Sequence, residues 1–187
     1  MLNPIQIFKL IGGVILALII LPLDLFICLL CWILSPVLPI FAIGKNVLPN
    51  WLSWFQTPDA PLDGDSGFVN VVPLSYPKYI RRVLWLIRNP AYGFSWTVLA
   101  AKPDHGTKIV TLGNINSGDG PYVKGWSFTY VEGYHYFHFR LFLPTFKGMC
   151  LQFRFGWKMK GDAKYLHEVG TAPYKFNFTF NPFKVRK

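Results

Sequence analysis

From Ile11 to Ile43 the chain carries a single charged side chain, Asp24, among leucines, isoleucines, valines and aromatics. No other feature limits the fold as much. A helix crosses the hydrocarbon of a bilayer with about 20 apolar residues, so this run exceeds one straight span and falls slightly short of two. A cleaved signal peptide has an apolar core of roughly 7 to 15 residues followed by small residues at the cut, and the run fits neither condition. Lipoprotein processing is excluded as well, because Ile27 and Leu30 stand before Cys28 and Cys31 where a small residue is required. The expectation is a retained membrane anchor.

Two conformations of the anchor are open. One is a kinked helix from about Val14 to Leu34, which sets Asp24 near mid-membrane at a cost of about 2.5 to 3.5 kcal/mol. Leucine and isoleucine, each contributing about −0.3 to −0.6 kcal/mol on the same scale, offset that cost. The other is a tight hairpin bent at Leu21-Pro22-Leu23-Asp24, with Asp24 at an interface. The Cys28-x-x-Cys31 pair suggests zinc or redox chemistry. Its neighbours are Phe26, Ile27, Leu29, Leu30 and Trp32, with no histidine nearby, so two small side chains packed in a helix are expected. Cys150 stands alone in the remainder, which excludes an internal disulfide there.

Of 187 residues 52% are hydrophobic, 18% aromatic and 15% charged, a balance that excludes disorder. The net charge is +10, and with only Lys9 and Asp24 charged ahead of Gly44 the whole excess lies beyond the apolar run. An apolar anchor carrying a basic domain suits a membrane surface with anionic lipid, or nucleic acid.

Trp51, Trp54 and Phe55 follow the run where aromatic belts sit at headgroup level. A turn-rich linker comes next, with Pro58, Pro61, Gly64 and Gly67, and it holds Asp59, Asp63 and Asp65. Their spacing lacks the D-x-D-x-D-G pattern and closing glutamate of a calcium loop, and no nucleophile accompanies them for acid–base work. Turn chemistry and pairing with arginines are the remaining roles.

Those arginines lie in SYPKYIRRVLWLIRN, Ser75 to Asn89. Ile80, Val83, Leu84 and Ile87 repeat at helical spacing, opposite Lys78, Arg81, Trp85 and Arg88, with Arg82 beside them. Ser75 is the expected N-cap, and Asn89-Pro90 ends the helix. A short basic helix with a tryptophan fits an interfacial helix, and equally one that packs its aliphatic face on the domain. Trp51, Trp54, Phe55 and Trp85 are the candidate membrane-interface residues. A linker folded back would bring Asp59, Asp63 or Asp65 beside Arg81, Arg82 or Arg88, a cluster able to fix the angle between anchor and domain.

Beyond Trp96 the period becomes two. Leu151, Phe153, Phe155, Trp157 and Met159 alternate with Gln152, Arg154, Gly156, Lys158 and Lys160, predicting a strand with a buried apolar face and an outward basic one. Residues 126–131 and 134–143 flank Glu132-Gly133 as a hairpin, and 107–113 and 174–180 add strands. Lysines and arginines at the outward positions argue against transmembrane strands. The fold class is α+β: an N-terminal membrane helix (kinked, or a tight hairpin), a short amphipathic helix, and an antiparallel β meander or small barrel. The expected division is 1–46 anchor, 47–74 aromatic segment and Asp-rich linker, and 75–187 basic, strand-rich domain.

His135 and His138, three apart on a strand, would face opposite ways and cannot share a metal. His105 and His167 fall in turns. Arg154, Lys158 and Lys160 near Tyr134, Tyr136 and Phe142 suggest a stacking platform for single-stranded nucleic acid, but no RNP-type motif supports it. No nucleophile elbow, P-loop or glycine-rich phosphate fingerprint is present. No metal or cofactor is expected.

The chain resembles a family of small membrane proteins encoded by tailed bacteriophages. The likeness rests on the apolar amino terminus, LPNWLSWFQTPDAPLDGD at 48–65, RRVLWLIRNPAYGF at 81–94, GWK at 156–158 and NPF at 181–183. The resemblance implies a setting, the infected bacterium's inner membrane, and no catalytic residue. Lys45 and the Lys78–Arg88 cluster outweigh the lone Lys9, so the carboxyl-terminal domain is expected in the cytoplasm. Two function classes follow: a membrane-anchored binding module for a phage or host protein, or a membrane-bound enzyme acting on a phosphate-bearing substrate through the Asp/Arg cluster.

Overall fold

The computed structural model describes residues 3–104, 106–117, 124–145, 148–159 and 174–185. The apolar run forms one continuous α-helix, α1, Pro4–Leu34, with Pro22 inside it. Of the two anchor conformations it is therefore the single helix, beginning earlier than Val14, and the chain does not turn back at Pro22. Proline in a helix interior removes one hydrogen bond and crowds the carbonyl four residues back. Here a long uninterrupted run of leucine and isoleucine on both sides carries the helix through it. Pro36 and Pro39 end the regular structure, and the chain continues through two 3₁₀ helices, Leu38–Ala42 and Asn50–Phe55. Three short helices follow, α2 Ser66–Val69, α3 Lys78–Arg88 and α4 Tyr92–Thr97. Five strands follow among the described residues, β1 Ile109–Gly113, β2 Gly125–Val131, β3 Phe137–Pro144, β4 Met149–Trp157 and β5 Phe176–Val185.

The chain divides into two compact units, residues 20–99 and residues 1–19 with 100–187. In the first, Ile27, Cys31, Leu38, Leu52, Phe55, Leu62, Phe68, Trp85, Leu86 and Phe94 form the core. The aspartate-rich linker folds into it: Leu62 and Phe68 are buried, and the Leu62 amide donates to Asn46 O at 2.8 Å. At Gly93 on α4 the backbones come close enough that a Cβ would lie 2.0 Å from Ser53 O. Only glycine permits that approach. On α3 the N-cap position is Pro77, with no side-chain cap, so Ser75 does not fill the role its type suggested. Asn89 closes the helix through its amide to Trp85 O.

In the second unit the sheet is an open antiparallel meander in the order β1-β2-β3-β4-β5. Among the described residues it does not close into a barrel. The hairpin turn lies at Glu132-Gly133, where Gly133 adopts φ +81°. Register aligns Phe128, Phe139, Phe155 and Phe178 in one row, and Trp126, Leu141, Phe153 and Phe180 in the next. The other face aligns Thr129, His138, Gly156 and Asn177, then Ser127, Arg140, Arg154 and Thr179.

The alternation expected over 149–159 holds at its carboxyl end, where Trp157 and Met159 are buried and Lys158 is exposed, and fails before it. Gln152 and Gly156 are buried, whereas Leu151, Phe153 and Phe155 are half-buried. Ser127 and Thr129 are fully buried at 0% exposure, while Trp126 and Phe180 are 49% and 61% exposed. The polar inner row is sustained by its own hydrogen bonds. Thr111 and Thr129 hydroxyls meet at 3.0 Å, Arg140 Nε donates to Ser127 Oγ at 3.0 Å, and Arg140 Nη2 donates to Ile115 O at 3.0 Å. Buried polar groups are tolerated when paired in this way. Of the basic positions expected to point outward, Lys158 is exposed and Arg154 half-buried, while Arg140 is buried. Lys160 lies outside the described residues.

Candidate functional site

The strongest concentration of charge in the first unit forms around Arg82, which is buried on α3. Its Nε donates to Asp63 Oδ1 at 2.9 Å and its Nη1 to Ala42 O at 3.1 Å. Its Nη2 donates to Lys45 O at 2.7 Å and Asn46 Oδ1 at 2.8 Å. Those bonds occupy four of the five N–H donors a guanidinium has. Arg82 thereby satisfies carbonyls at the end of the first 3₁₀ helix and the turn after it, and holds the linker to both. Lys78 Nζ approaches Asp63 Oδ2 at 3.3 Å, and Arg81 Nη2 donates to Asp63 O at 3.3 Å. Burial alone would raise the Asp63 carboxyl, but the hydrogen bonds and charges of Arg82 and Lys78 outweigh it and hold the group below the usual carboxylate range.

The other members of the expected cluster take separate partners. Asp65 is the N-cap of α2, its Oδ1 accepting from the Phe68 amide at 2.7 Å. Asp59 is exposed; burial and then the Asp59 charge push the Tyr92 phenol up to about 12. Arg88 lies over the Phe68 and Trp85 rings at 5.7 and 5.9 Å. The three aspartates therefore serve three different local structures, and only Asp63 meets an arginine side chain in an ion pair.

Of the four interface aromatics, Trp51 is exposed at 69% and Trp54 half-exposed, whereas Phe55 is buried and Trp85 is 2% exposed. Trp85 is thus not an outer-face residue. It packs edge-on to Phe68, ring centroids 5.1 Å apart, in the core of its unit. The α3 face turned inward holds Arg82, Trp85 and Leu86, and the exposed side includes Ile80 and Ile87. Helical spacing located the faces of α3 without deciding which is inside.

The same inversion runs along α1. Gln6, Leu10, Gly13 and Ala17 are buried in one unit, and Asp24, Ile27 and Cys31 in the other. The exposed positions are Ile5, Phe8, Ile11, Ile15, Ile19, Phe26 and Ile33, among others of the same kind. The polar groups of the helix are met by distant backbone and side chains. Gln6 Nε2 donates to Tyr134 O at 3.0 Å and its Oε1 accepts from the Gly133 amide at 2.8 Å. Asp24 Oδ1 accepts from Ser95 Oγ at 2.7 Å, and Trp32 Nε1 donates to Ile87 O at 3.1 Å. Cys31 is buried and Cys28 half-buried, the Cys28 thiol donating to Pro90 O at 3.6 Å. Asp24 stood out in the sequence as the only charge in the run. Nothing in the sequence marked Ser95 as its donor.

In the second unit His138 is buried, its Nδ1 3.0 Å from Met159 O. Burial first, then the charges of Arg140, Arg154 and Lys158, push it down to about 3 despite that hydrogen bond. His135 precedes β3, half-buried beside Tyr136 and Trp157. His105 and His167 lie outside the described residues. Phe142, placed with a nucleic-acid platform, is buried beneath Arg154 at 5.3 Å, so it offers no open face to a base.

A mixed α and β protein results, with a long apolar amino-terminal helix, a cluster of short helices locked by Arg82 and Asp63, and an open antiparallel sheet whose aromatic side is turned out. The chain belongs to a family of unknown function, DUF7338, whose model matches residues 13–187. No curated protein and no solved structure matches it.

Proposed function

We propose that the protein is a membrane-anchored interaction module, held by α1 in the inner membrane of a phage-infected bacterium and working at the cytoplasmic face on a phage or host protein. The polarity of α1 carries this reading. Its most apolar 18-residue window has a mean hydropathy of 3.0, and only 22% of that window is buried. A core helix of a water-soluble protein would be mostly covered. This one buries Gln6, Gly13, Ala17 and Asp24 and leaves isoleucine, leucine and phenylalanine outside, Ile5 at 70% and Phe8 at 79% exposure. Such an arrangement suits a hydrocarbon surround. The hydrogen bonds of Gln6 and Asp24 to later parts of the chain also favour a retained segment over a removed leader.

Alkaline carbonate treatment of membranes should leave the protein in the pellet, and release of most of it would defeat the reading. An alkaline phosphatase fused after Lys187 should be inactive, as basic segments stay inside; an active fusion reverses the orientation. Pull-down of the detergent-solubilised protein from infected cells should recover a reproducible phage or host protein. A membrane-bound enzyme on a phosphate-bearing substrate would need Asp59, Asp63 and Asp65 to converge, and they serve separate partners.

A further inference from the structure

We infer that the aromatic face of the sheet is a second lipid-contacting surface, lying against the boundary between headgroups and acyl chains. The inference rests on the membrane reading of α1 and deepens it. On this face Leu112, Phe128, Phe139, Phe155 and Phe178, and then Trp126, Leu141, Phe153 and Phe180, form two uncharged rows, while Tyr130, Phe137, Trp157 and Phe176 farther along it are buried. Trp126, Leu112 and Phe180 are exposed, the last at 61%. The polar groups that would ordinarily face water are the buried ones, Ser127, Thr129, His138, Arg140 and Gln152. The two outer rows are apolar from β1 to β5, as a hydrocarbon contact requires.

Attachment to α1 supplies the continuity. Within the same unit Lys9 Nζ donates to Gly133 O at 2.7 Å, Gln6 brackets Gly133 and Tyr134, and a Cβ on Gly13 would lie 1.9 Å from His135 O. The hairpin turn of β2 and β3 is therefore fixed to the first turns of the helix. On the same stretch of α1 an apolar hollow of about 290 Å³ is lined by Ile7, Leu10, Ile11, Val14 and Ile15. If α1 enters lipid, the sheet is held at the lipid surface with it. Among the described residues β1 and β5 each pair on one side only, and unpaired backbone groups are not tolerated in hydrocarbon, which argues against deep insertion. A face-on position at the boundary leaves those edges, and exposed Lys102, Lys108, Lys124 and Lys158, among headgroups, where tryptophan and lysine are at home.

Photoreactive benzoylphenylalanine placed singly at Phe180, Trp126, Leu18 and Asn116 of the full chain, irradiated in native bacterial membranes, tests this. All four positions are exposed, so folding is kept, which an unchanged melting temperature verifies. Adducts with phospholipid acyl chains, read by mass spectrometry, are expected at Phe180, Trp126 and Leu18, at least about five-fold above Asn116. Lipid adducts at Leu18 with none at Phe180 and Trp126 overturn the inference and leave the anchor reading standing. Protein adducts at Phe180 and Trp126, to a second copy or another chain, overturn it too. An absence of lipid adducts at Leu18 removes the anchor reading and this inference together.

Discussion

Ser95 Oγ donates to Asp24 Oδ1 at 2.7 Å, joining a residue of α4 to the one carboxylate of the long apolar helix. Both side chains are buried. An unpaired carboxylate is costly in such a place, so a hydroxyl far along the chain compensates a charge that the local sequence leaves exposed to hydrocarbon neighbours. Ser95→Ala should destabilise the protein by about 1 to 3 kcal/mol, measured by thermal unfolding in detergent. In an Asp24→Asn background the same change should cost clearly less; equal losses in the two backgrounds would show that the residues are not coupled.

Arg82 and Lys78 both meet Asp63, but they are unequal. Arg82 is buried and fills several acceptors, while the Lys78 side chain is 62% exposed. Arg82→Leu removes the donor that Asp63, Asn46 and the carbonyls of Ala42 and Lys45 share, and should cost about 3 to 5 kcal/mol. Arg82→Lys should recover little of that, since an ammonium cannot reproduce the planar fork. Lys78→Ala should change stability by about 1 kcal/mol or less. Denaturant midpoints of the three variants test the order, and a Lys78→Ala loss as large as that of Arg82→Leu would refute it.

Neighbouring glycines of α1 should respond in opposite senses to alanine. Nothing lies within 4 Å of a Cβ on Gly12, whereas one on Gly13 would sit 1.9 Å from a backbone oxygen of His135. Gly12→Ala should be stabilising by about 0.5 to 1 kcal/mol, the ordinary helix gain. Gly13→Ala should destabilise by about 1 to 3 kcal/mol, because the obstructing group is backbone. Melting temperatures that shift in the same direction for both would contradict the close approach.

His138 makes the sheet sensitive to acid. Its folded value, about 3, lies below the ordinary 6.5 of the unfolded chain, so between those values the unfolded state binds a proton that the folded state refuses. Stability from this group is present above pH 6.5 and declines as pH falls, by up to roughly 1.4 kcal/mol per pH unit. Amide hydrogen exchange in β2 and β3 at pH 7 and pH 5 should show that loss of protection, and His138→Gln should lessen it. An unchanged pH dependence in the variant would assign the acid sensitivity elsewhere.

Much of the architecture is legible in the residues. Alternation over 149–159 locates β4, Glu132-Gly133 marks the hairpin, and the 80/83/84/87 spacing places α3. The Asp63–Arg82 contact is legible as a class of contact, an aspartate of the linker with an arginine of the helix, though not as those two residues. Asp59 and Asp65 carry the same charge and similar spacing, and only the path of the folded linker distinguishes them. Ser95, Gly93 and Gln6 give no warning of their roles, because their partners Asp24, Ser53 and Gly133 lie far away in the chain.

By itself, then, the sequence determined the period of each element, the length of the apolar helix and the positions of the turns. These follow from local stereochemistry, which repeats side chains every 3.6 residues on a helix and every two on a strand. Tertiary structure alone decided which side of each element is inside. That choice departs from the usual expectation at particular positions of α1, α3 and the sheet, burying Asp24, Arg82 and Arg140 while leaving Phe8, Ile80 and Phe180 outside. The reason is that the inner face is settled by competition among all surfaces of the chain at once. A chain that is 52% hydrophobic leaves many apolar side chains outside, and Asp24, Arg82 and Arg140 are buried where distant donors and acceptors meet them.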